Sequence, residues 1–221
     1  MKKFALFLFC LILSCTLFCS CKSQNSLDGF VSELRSNCFE SVDSDLTIKA
    51  GYGFIEQQPS LDGKVGERIY VLKFKLTGGY EQNVTYHVSL NFNQTEYNAT
   101  FKLNPVSHSL TAIMEIDNFN LSHFDITVKH GSDSQTVKMN SIVPENTISY
   151  SNALSHLQNS QSQLLKTFNS SNGNFDAEIY LRVLVKDNHP YWYVCISSAS
   201  QTKALLIDGF SGEVLATRDV F

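Results

Sequence analysis

Between residues 46 and 139 the apolar side chains recur at every second position, and that period limits the chain more than any other feature. Leu46, Ile48, Ala50, Tyr52 and Phe54 form one such run, and Tyr70, Leu72, Phe74 and Leu76 form the next. The clearest run is Val84, Tyr86, Val88, Leu90 and Phe92, with Thr85, His87, Ser89 and Asn91 between them. Tyr97-Ala99-Phe101-Leu103, Leu110-Ala112-Met114-Ile116, Phe124-Ile126-Val128 and Val137-Met139 continue the pattern. Successive side chains of a strand point to opposite faces, so this spacing gives each strand one face for a core and one for water. Turn signals fall between the runs at Thr77-Gly78-Gly79, Asn104-Pro105, Asp117-Asn118 and His130-Gly131-Ser132-Asp133. Seven short strands joined this way predict antiparallel sheet.

Strands of that number and spacing over residues 46–143 predict a β-sandwich of immunoglobulin-like size. The likeness is architectural, because the Cys…Trp…Cys set of antibody domains is absent from this stretch. After Val143-Pro144-Glu145-Asn146, read as a linker, the period becomes helical. Ala153, Leu154, Leu157, Leu164, Leu165 and Phe168 fall on one stripe, with Ser149 or Ser151 as N-cap and a weak point at Ser160-Gln161. Asn169-Ser170-Ser171-Asn172-Gly173-Asn174 ends the helix. Four strands follow, at 175–186, 191–197, 202–208 and 213–217. A helix with an antiparallel meander is an α+β unit, so two domains are expected, at 46–143 and 147–221.

The first residues carry a different message. Met1-Lys2-Lys3 precedes a run from Phe4 to Phe18 broken only by Ser14 and Thr16. A short basic stretch and an apolar stretch of about 15 residues make a signal peptide, too short to span a bilayer. The run ends in Leu17-Phe18-Cys19-Ser20-Cys21 and turns polar at Lys22. This resembles the bacterial lipobox. The resemblance implies cleavage after residue 20 and a diacylglycerol thioether on Cys21, with acyl chains of the palmitate type holding the chain outside the cell membrane. Residues 21–45 are then a lipidated tether with one or two helical turns at Phe30-Val31-Ser32-Glu33-Leu34.

With Cys10, Cys15, Cys19 and Cys21 assigned to the signal and its cleavage site, Cys38 and Cys195 remain, as a disulfide or as two buried thiols. Without Lys2 and Lys3, 15 basic residues face 21 acidic ones, a net charge of −6. That balance argues against nucleic acid, which calls for a basic patch.

Catalytic and metal-binding patterns are sparse. His87, His108, His123, His130, His156 and His189 show no HxH, HxxxH or HExxH spacing. His123 and His130 flank a strand with Asp125 on its polar side and are the nearest approach to a metal cluster. Gly209-Phe210-Ser211-Gly212-Glu213 is one residue short of G-x-S-x-G and stands between two strands, where a nucleophile elbow needs a strand and a helix. Cys195 lies mid-strand among aromatic residues, which suits a packed thiol. Asn83, Asn93, Asn98, Asn120 and Asn169 stand in glycosylation sequons that matter only outside bacteria. No catalytic residue, metal or cofactor is expected.

The last quarter resembles the PepSY domain. Pro190-Tyr191-Trp192-Tyr193-Val194, a variable turn, and Ala204-Leu205-Leu206-Ile207-Asp208-Gly209-Phe210-Ser211-Gly212-Glu213-Val214-Leu215 match that family's tryptophan-bearing strand and closing hairpin. Ile148-Ser149 and the helix match its start. The resemblance implies an extracytoplasmic, non-enzymatic module, with protease inhibition as one proposed role. In the hairpin itself, Asp208 is expected to accept from the Ser211 and Gly212 amides, Gly209 and Gly212 to supply positive φ, and Val214 to re-enter the core. Tyr191, Trp192 and Tyr193 form the densest aromatic cluster: either Trp192 packs under the helix, or the rings form a partner surface. The expected partners are the membrane, through the lipid anchor, and a protein such as a secreted protease or an envelope protein.

Overall fold

The computed structural model describes residues 26–57, 65–81, 83–105 and 109–220. Cys21 and His108 lie outside them, with the signal peptide and residues 58–64. Among the described residues the fold is mainly β. Nine strands come first: β1 (Val31–Val42), β2 (Thr47–Glu56), β3 (Arg68–Gly78), β4 (Tyr86–Phe92), β5 (Thr95–Thr100), β6 (Lys102–Asn104), β7 (Ser109–Glu115), β8 (His123–His130) and β9 (Asp133–Ser141). Helix α1 (Tyr150–Ser160) and the single turn α2 (Ser162–Lys166) lead to β10 (Glu178–Lys186), β11 (His189–Ser197), β12 (Thr202–Asp208) and β13 (Val214–Asp219).

The first nine strands pair antiparallel in the order β6-β7-β3-β2-β1-β9-β8-β4-β5. In place of two facing sheets, one sheet curls into a half-barrel until Cα atoms of β5 come within 8 Å of β7. Its hollow is filled by the alternating residues: Ile48, Leu72, Phe74, Leu76, Val88, Ile126, Val128 and Met139 are essentially inaccessible. Phe119 caps one end, with its ring against Phe39, Tyr52, Phe92 and Phe124 and its amide donating to the Tyr52 hydroxyl at 3.1 Å.

The segment read as helical turns is instead a 3-10 turn at Leu27–Phe30 followed by β1, a 12-residue strand. The mistake has a physical cause. β1 shifts register between Val31 and Glu33 and again between Arg35 and Asn37. Each bulge adds a residue to one strand without adding one to its partner, so the apolar residues Val31, Leu34, Cys38 and Val42 take the three-to-four spacing of a helix.

β1 also joins the two parts of the chain. One edge pairs with β2 along Glu33–Glu40. The other edge forks: Val31–Arg35 pairs parallel with β10, and Phe39–Val42 pairs antiparallel with β9. At the fork the backbone loses its ladder partners and the Asn37 side chain replaces them, its Oδ1 accepting from the Cys38 amide (2.8 Å) and the Ser141 hydroxyl (2.7 Å).

β10–β13 form an antiparallel meander with α1 over one face. Ser149 is the N-cap, its hydroxyl accepting from the Asn152 amide at 3.2 Å, and the helix breaks at Gln161, where the stripe weakens. Ala153, Leu154, Leu157, Leu165 and Phe168 are buried against Ile179, Leu181, Val183, Trp192, Val194, Ile196, Leu205 and Ile207. Leu27, Val31, Leu34 and Phe54 belong to the same core. The second core therefore takes part of its substance from residues that precede the linker. Just past the linker the chain is tied down, the Ile148 amide donating to the Gly209 carbonyl at 2.8 Å.

Candidate functional site

The face of β10–β13 away from α1, and the convex face of β1–β2–β3–β7, form one surface. Residues opposite each other in the ladders share a face, so a single row can be read across it: Leu206, Tyr193, Arg182, Arg35, Gly53, Val71 and Glu115. The row beside it passes through Gly51, Lys73 and Ile113. A groove of about 380 Å³ opens here, lined by Glu33, Arg35, Gly51, Gly53, Lys73 and Tyr180, with Ile55, Val71 and Ile113 as its apolar side. A second lobe of about 160 Å³ shares Glu33, Arg35 and Tyr180 with the first and adds Arg182 and Tyr193.

The floor is low because two strand positions lack a side chain. A Cβ on Gly53 would stand 1.8 Å from the Leu34 carbonyl oxygen, so β1 and β2 approach too closely for anything but glycine. A Cβ on Gly51 would meet nothing closer than 3.7 Å. Gly51 leaves room in the groove; Gly53 is required by the sheet.

The charges in the groove are uneven. Arg35 and Arg182 are direct neighbours across the parallel seam, an arrangement that costs energy when left uncompensated. Arg35 is compensated by Glu33, whose Oε1 accepts from its Nε at 2.7 Å and its Nη2 at 2.6 Å. The Arg182 guanidinium carbon lies over the Tyr193 ring, 4.6 Å from the centroid. Among the ion pairs of the described residues, neither Arg182 nor Lys73 has a carboxylate. Arg35 and Lys73 share the larger lobe with Glu33 and Glu56, and Arg182 shares the smaller one with Glu33.

Beneath the groove lies a buried polar chain that sequence reasoning missed. The Ser32 hydroxyl donates to Glu56 Oε2 (2.5 Å), the Gly66 amide donates to Glu56 Oε1 (2.5 Å), and the Tyr180 hydroxyl donates to Glu178 Oε2 (2.8 Å). Ser32, Glu56 and Glu178 are each at least 95% buried. Burial and the Glu178 carboxylate raise the Tyr180 pKa far above its usual value, so the phenol stays a donor. Only the position of Glu56 at the end of an alternating run hinted at this chain.

The aromatic cluster divides. Trp192 is 2% exposed and donates from Nε1 to the Ile148 carbonyl at 3.0 Å, so it is core and not a partner surface. Tyr191 and Tyr193 are on the open face, half-buried. Tyr193 supports Arg182, and Tyr191 lies 4.7 Å from the His189 ring.

The closing hairpin differs in detail from expectation. Asp208 Oδ1 accepts from the Phe210 (2.9 Å) and Ser211 (2.8 Å) amides, while the Gly212 amide donates to the Asp208 carbonyl. Gly212 has φ +78° as expected; Gly209 does not have positive φ, and is required because a Cβ there would stand 2.6 Å from the Pro190 carbonyl oxygen. Asp208 Oδ2 is 2.7 Å from His189 Nε2, a contact the sequence did not suggest. These bonds hold the Asp208 carboxyl down at about 2.

His123 and His130 stand at opposite ends of β8, seven residues and so about 23 Å apart. His87 Nδ1 is 3.0 Å from the Thr100 hydroxyl. No three His, Cys, Asp or Glu side chains among the described residues gather as metal ligands. Cys38 and Cys195 are free thiols, on β1 and β11 with β10 between those strands. Burial pushes the Cys38 thiol up to about 11 and the Cys195 thiol also up, which suits packing and not nucleophilic attack. No helix among the described residues is long and apolar enough to cross a membrane. No known protein family, curated protein or solved structure matches the chain.

Proposed function

We propose that the chain is a non-enzymatic binding or regulatory module, lipid-anchored through Cys21 at the outer side of a bacterial cell membrane, and that the groove over the β1–β10 seam is its binding face. The observation that carries this reading is the pair of adjoining lobes around Glu33, Arg35 and Tyr180, where the Arg182 guanidinium over Tyr193, Lys73 and the exposed Ile113 converge. A few oriented polar groups in a concave, partly apolar site is what ligand recognition requires. The buried Glu56 carboxylate accepts from the Ser32 hydroxyl and the Gly66 amide, and Glu178 accepts from the Tyr180 hydroxyl, which favours binding over catalysis. The helix, the antiparallel meander and the Asp208 turn support a PepSY-like character for residues 147–221. A secreted protease or an envelope protein is then the natural partner class.

Two measurements test this. Cys21→Ser is expected to abolish lipid labelling and to release the chain from the membrane fraction; unchanged labelling and partitioning refute the anchor. A photo-crosslinking residue placed at Ile113, 48% exposed on the rim, is expected to capture a partner in cells. Gly51→Leu, which fills the groove without a backbone clash, is expected to abolish that capture. Capture undiminished by Gly51→Leu refutes the groove as the binding face.

A further inference from the structure

A second cavity, of about 380 Å³, opens where β1 forks and α1 begins, and it shares no lining residue with the groove over the β1–β10 seam. We propose that it is a separate site for a neutral saccharide unit, whose hydroxyls pair with Asn37 and Glu145.

Asn37 is a donor of fixed direction. Its Oδ1 accepts from the Cys38 amide (2.8 Å) and the Ser141 hydroxyl (2.7 Å), and turning the side chain over would set an NH2 group against the Cys38 N–H. Nδ2 is therefore held in one orientation, and neither of its protons is claimed among the described residues. Glu145 and Asn120 are exposed on the walls and Tyr150 is half-buried there. The Glu145 carboxylate, the Asn120 amide and the Tyr150 hydroxyl likewise have no hydrogen bond or ion pair among the described residues. The cavity thus presents a donor at Asn37, an acceptor at Glu145 and groups of both kinds at Asn120 and Tyr150. A hydroxyl donates and accepts at one oxygen, so a polyol answers all of them.

Other ligand classes fit less well. Among the described lining residues Glu145 is the one charged side chain, so an anion would meet a like charge and no cation. The start of α1 is already capped by Ser149. An added peptide strand needs free backbone groups, and those of the fork are taken: the Cys38 amide by Asn37, the Cys38 carbonyl by the Ile142 amide (2.9 Å), and the Val143 amide by the Ser141 hydroxyl (3.3 Å). What stays open is side-chain chemistry.

Apolar surface lies between the polar groups, from Leu121, Val143, Pro144, Ile148 and the Tyr150 ring. A pyranose has the matching division, with hydroxyls around its edge and C–H groups on its faces. The volume is at the low end of the roughly 300–1,000 Å³ of small-ligand sites, which suits a mono- or disaccharide.

The test uses the full chain in micelles of a detergent without a sugar headgroup, with maltose and N,N′-diacetylchitobiose as probes read by saturation-transfer difference NMR. Saturation is expected at the ring C–H protons of one or both probes. Glucose is expected to compete for the site at least tenfold better than glucuronate. Asn37→Asp keeps the acceptor for Cys38 and Ser141 and removes the free donor, so it is expected to leave the chain folded, by Trp192 fluorescence, and to weaken the bound probe about tenfold. Glu145→Gln, at an exposed position, is expected to weaken it about threefold or more with the fold unchanged. Absence of saturation transfer to both probes overturns the proposal, as does equal competition by glucose and glucuronate. Undiminished binding in folded Asn37→Asp overturns it too; if that variant unfolds, Glu145→Gln decides, and undiminished binding there is the refuting result.

Discussion

Gly51 and Gly53 lie two residues apart on the same strand and face the same groove, yet replacing them with alanine should move stability in opposite directions. At Gly53 the new Cβ would stand 1.8 Å from the Leu34 carbonyl oxygen and 2.6 Å from its carbon. Ordinary contact is 3.4 Å or more, so β1 and β2 must part by over an ångström where Leu34 pairs with Phe54 and Arg35 with Gly53. Overpacking of this kind costs about 1–3 kcal/mol, and each ladder hydrogen bond stretched beyond use costs about 1 kcal/mol more. A loss of about 2–4 kcal/mol is expected, which for a chain of this size lowers Tm by roughly 4–16 °C. At Gly51 the Cβ meets only the Arg35 Cδ and the Asn37 carbonyl at 3.7 Å. There alanine restricts the unfolded chain and costs the sheet nothing, a gain of about 0.4–1 kcal/mol. Urea unfolding followed by Trp192 fluorescence reads both, since this single tryptophan is buried in the second core. Midpoints for the two variants within about 0.5 kcal/mol of each other would refute the close approach of β1 to β2.

Asp208→Ala is expected to cost about 1 kcal/mol by removing the acceptor of the Phe210 and Ser211 amides, read as a shift in the urea midpoint; no shift would show that the turn holds without it. Because the folded carboxyl sits at about 2, below the usual range of an aspartate, the ionised form is the one folding favours. Its contribution is complete above pH 4 and is lost as pH falls from there towards 2, so the stability difference between wild type and Asp208→Ala should shrink over that interval; a difference that stays constant down to pH 2 contradicts the assignment. A fragment starting at Asn146 is expected to give a collapsed amide spectrum. It lacks Leu27, Val31, Leu34 and Phe54, each worth about 1.5–3 kcal/mol when buried, and their sum rivals the 5–15 kcal/mol that holds a typical domain. A dispersed spectrum from the isolated fragment would refute the shared core.

The parts of this fold that the sequence displayed are those where one residue of sequence equals one residue of ladder. β2, β3, β4, β7 and β8 fall on the alternating runs, and the helical stripe was visible with Ser149 as one of two candidate caps and a weak point at Ser160-Gln161, where the single helix expected divides into two. β1 was hidden because its two bulges converted a period of two into a helical period. The curl of the first sheet was hidden for another reason: alternation reports which face is buried, not whether that face covers a second sheet or bends round to cover itself. Trp192 and the Asp208 turn were legible because each is settled within its own strand or hairpin. The Arg35–Arg182 neighbours, and the placing of the Ser32–Glu56 bond beside the Tyr180–Glu178 bond, were not, since each depends on a pairing between residues about 145 positions apart.

That pairing also explains why the candidate site lies where it does. A parallel ladder between β1 and β10 cannot be closed by a tight turn, and here the whole half-barrel intervenes between the two strands. The constraint brings together side chains chosen by two separate folding units: Glu33 and Arg35 from the strand that opens the barrel, Tyr180, Arg182 and Tyr193 from the meander. Within either unit alone each of these is an ordinary residue of an exposed strand face. Joined at the seam, they place two arginines side by side, and among the ion pairs of the described residues only Arg35 has a carboxylate. The bulge between Arg35 and Asn37 bends β1 at the point where its edge passes from β10 to β9. The register shift between Arg35 and Asn37 thus falls at the fork, beside the glycine-floored groove.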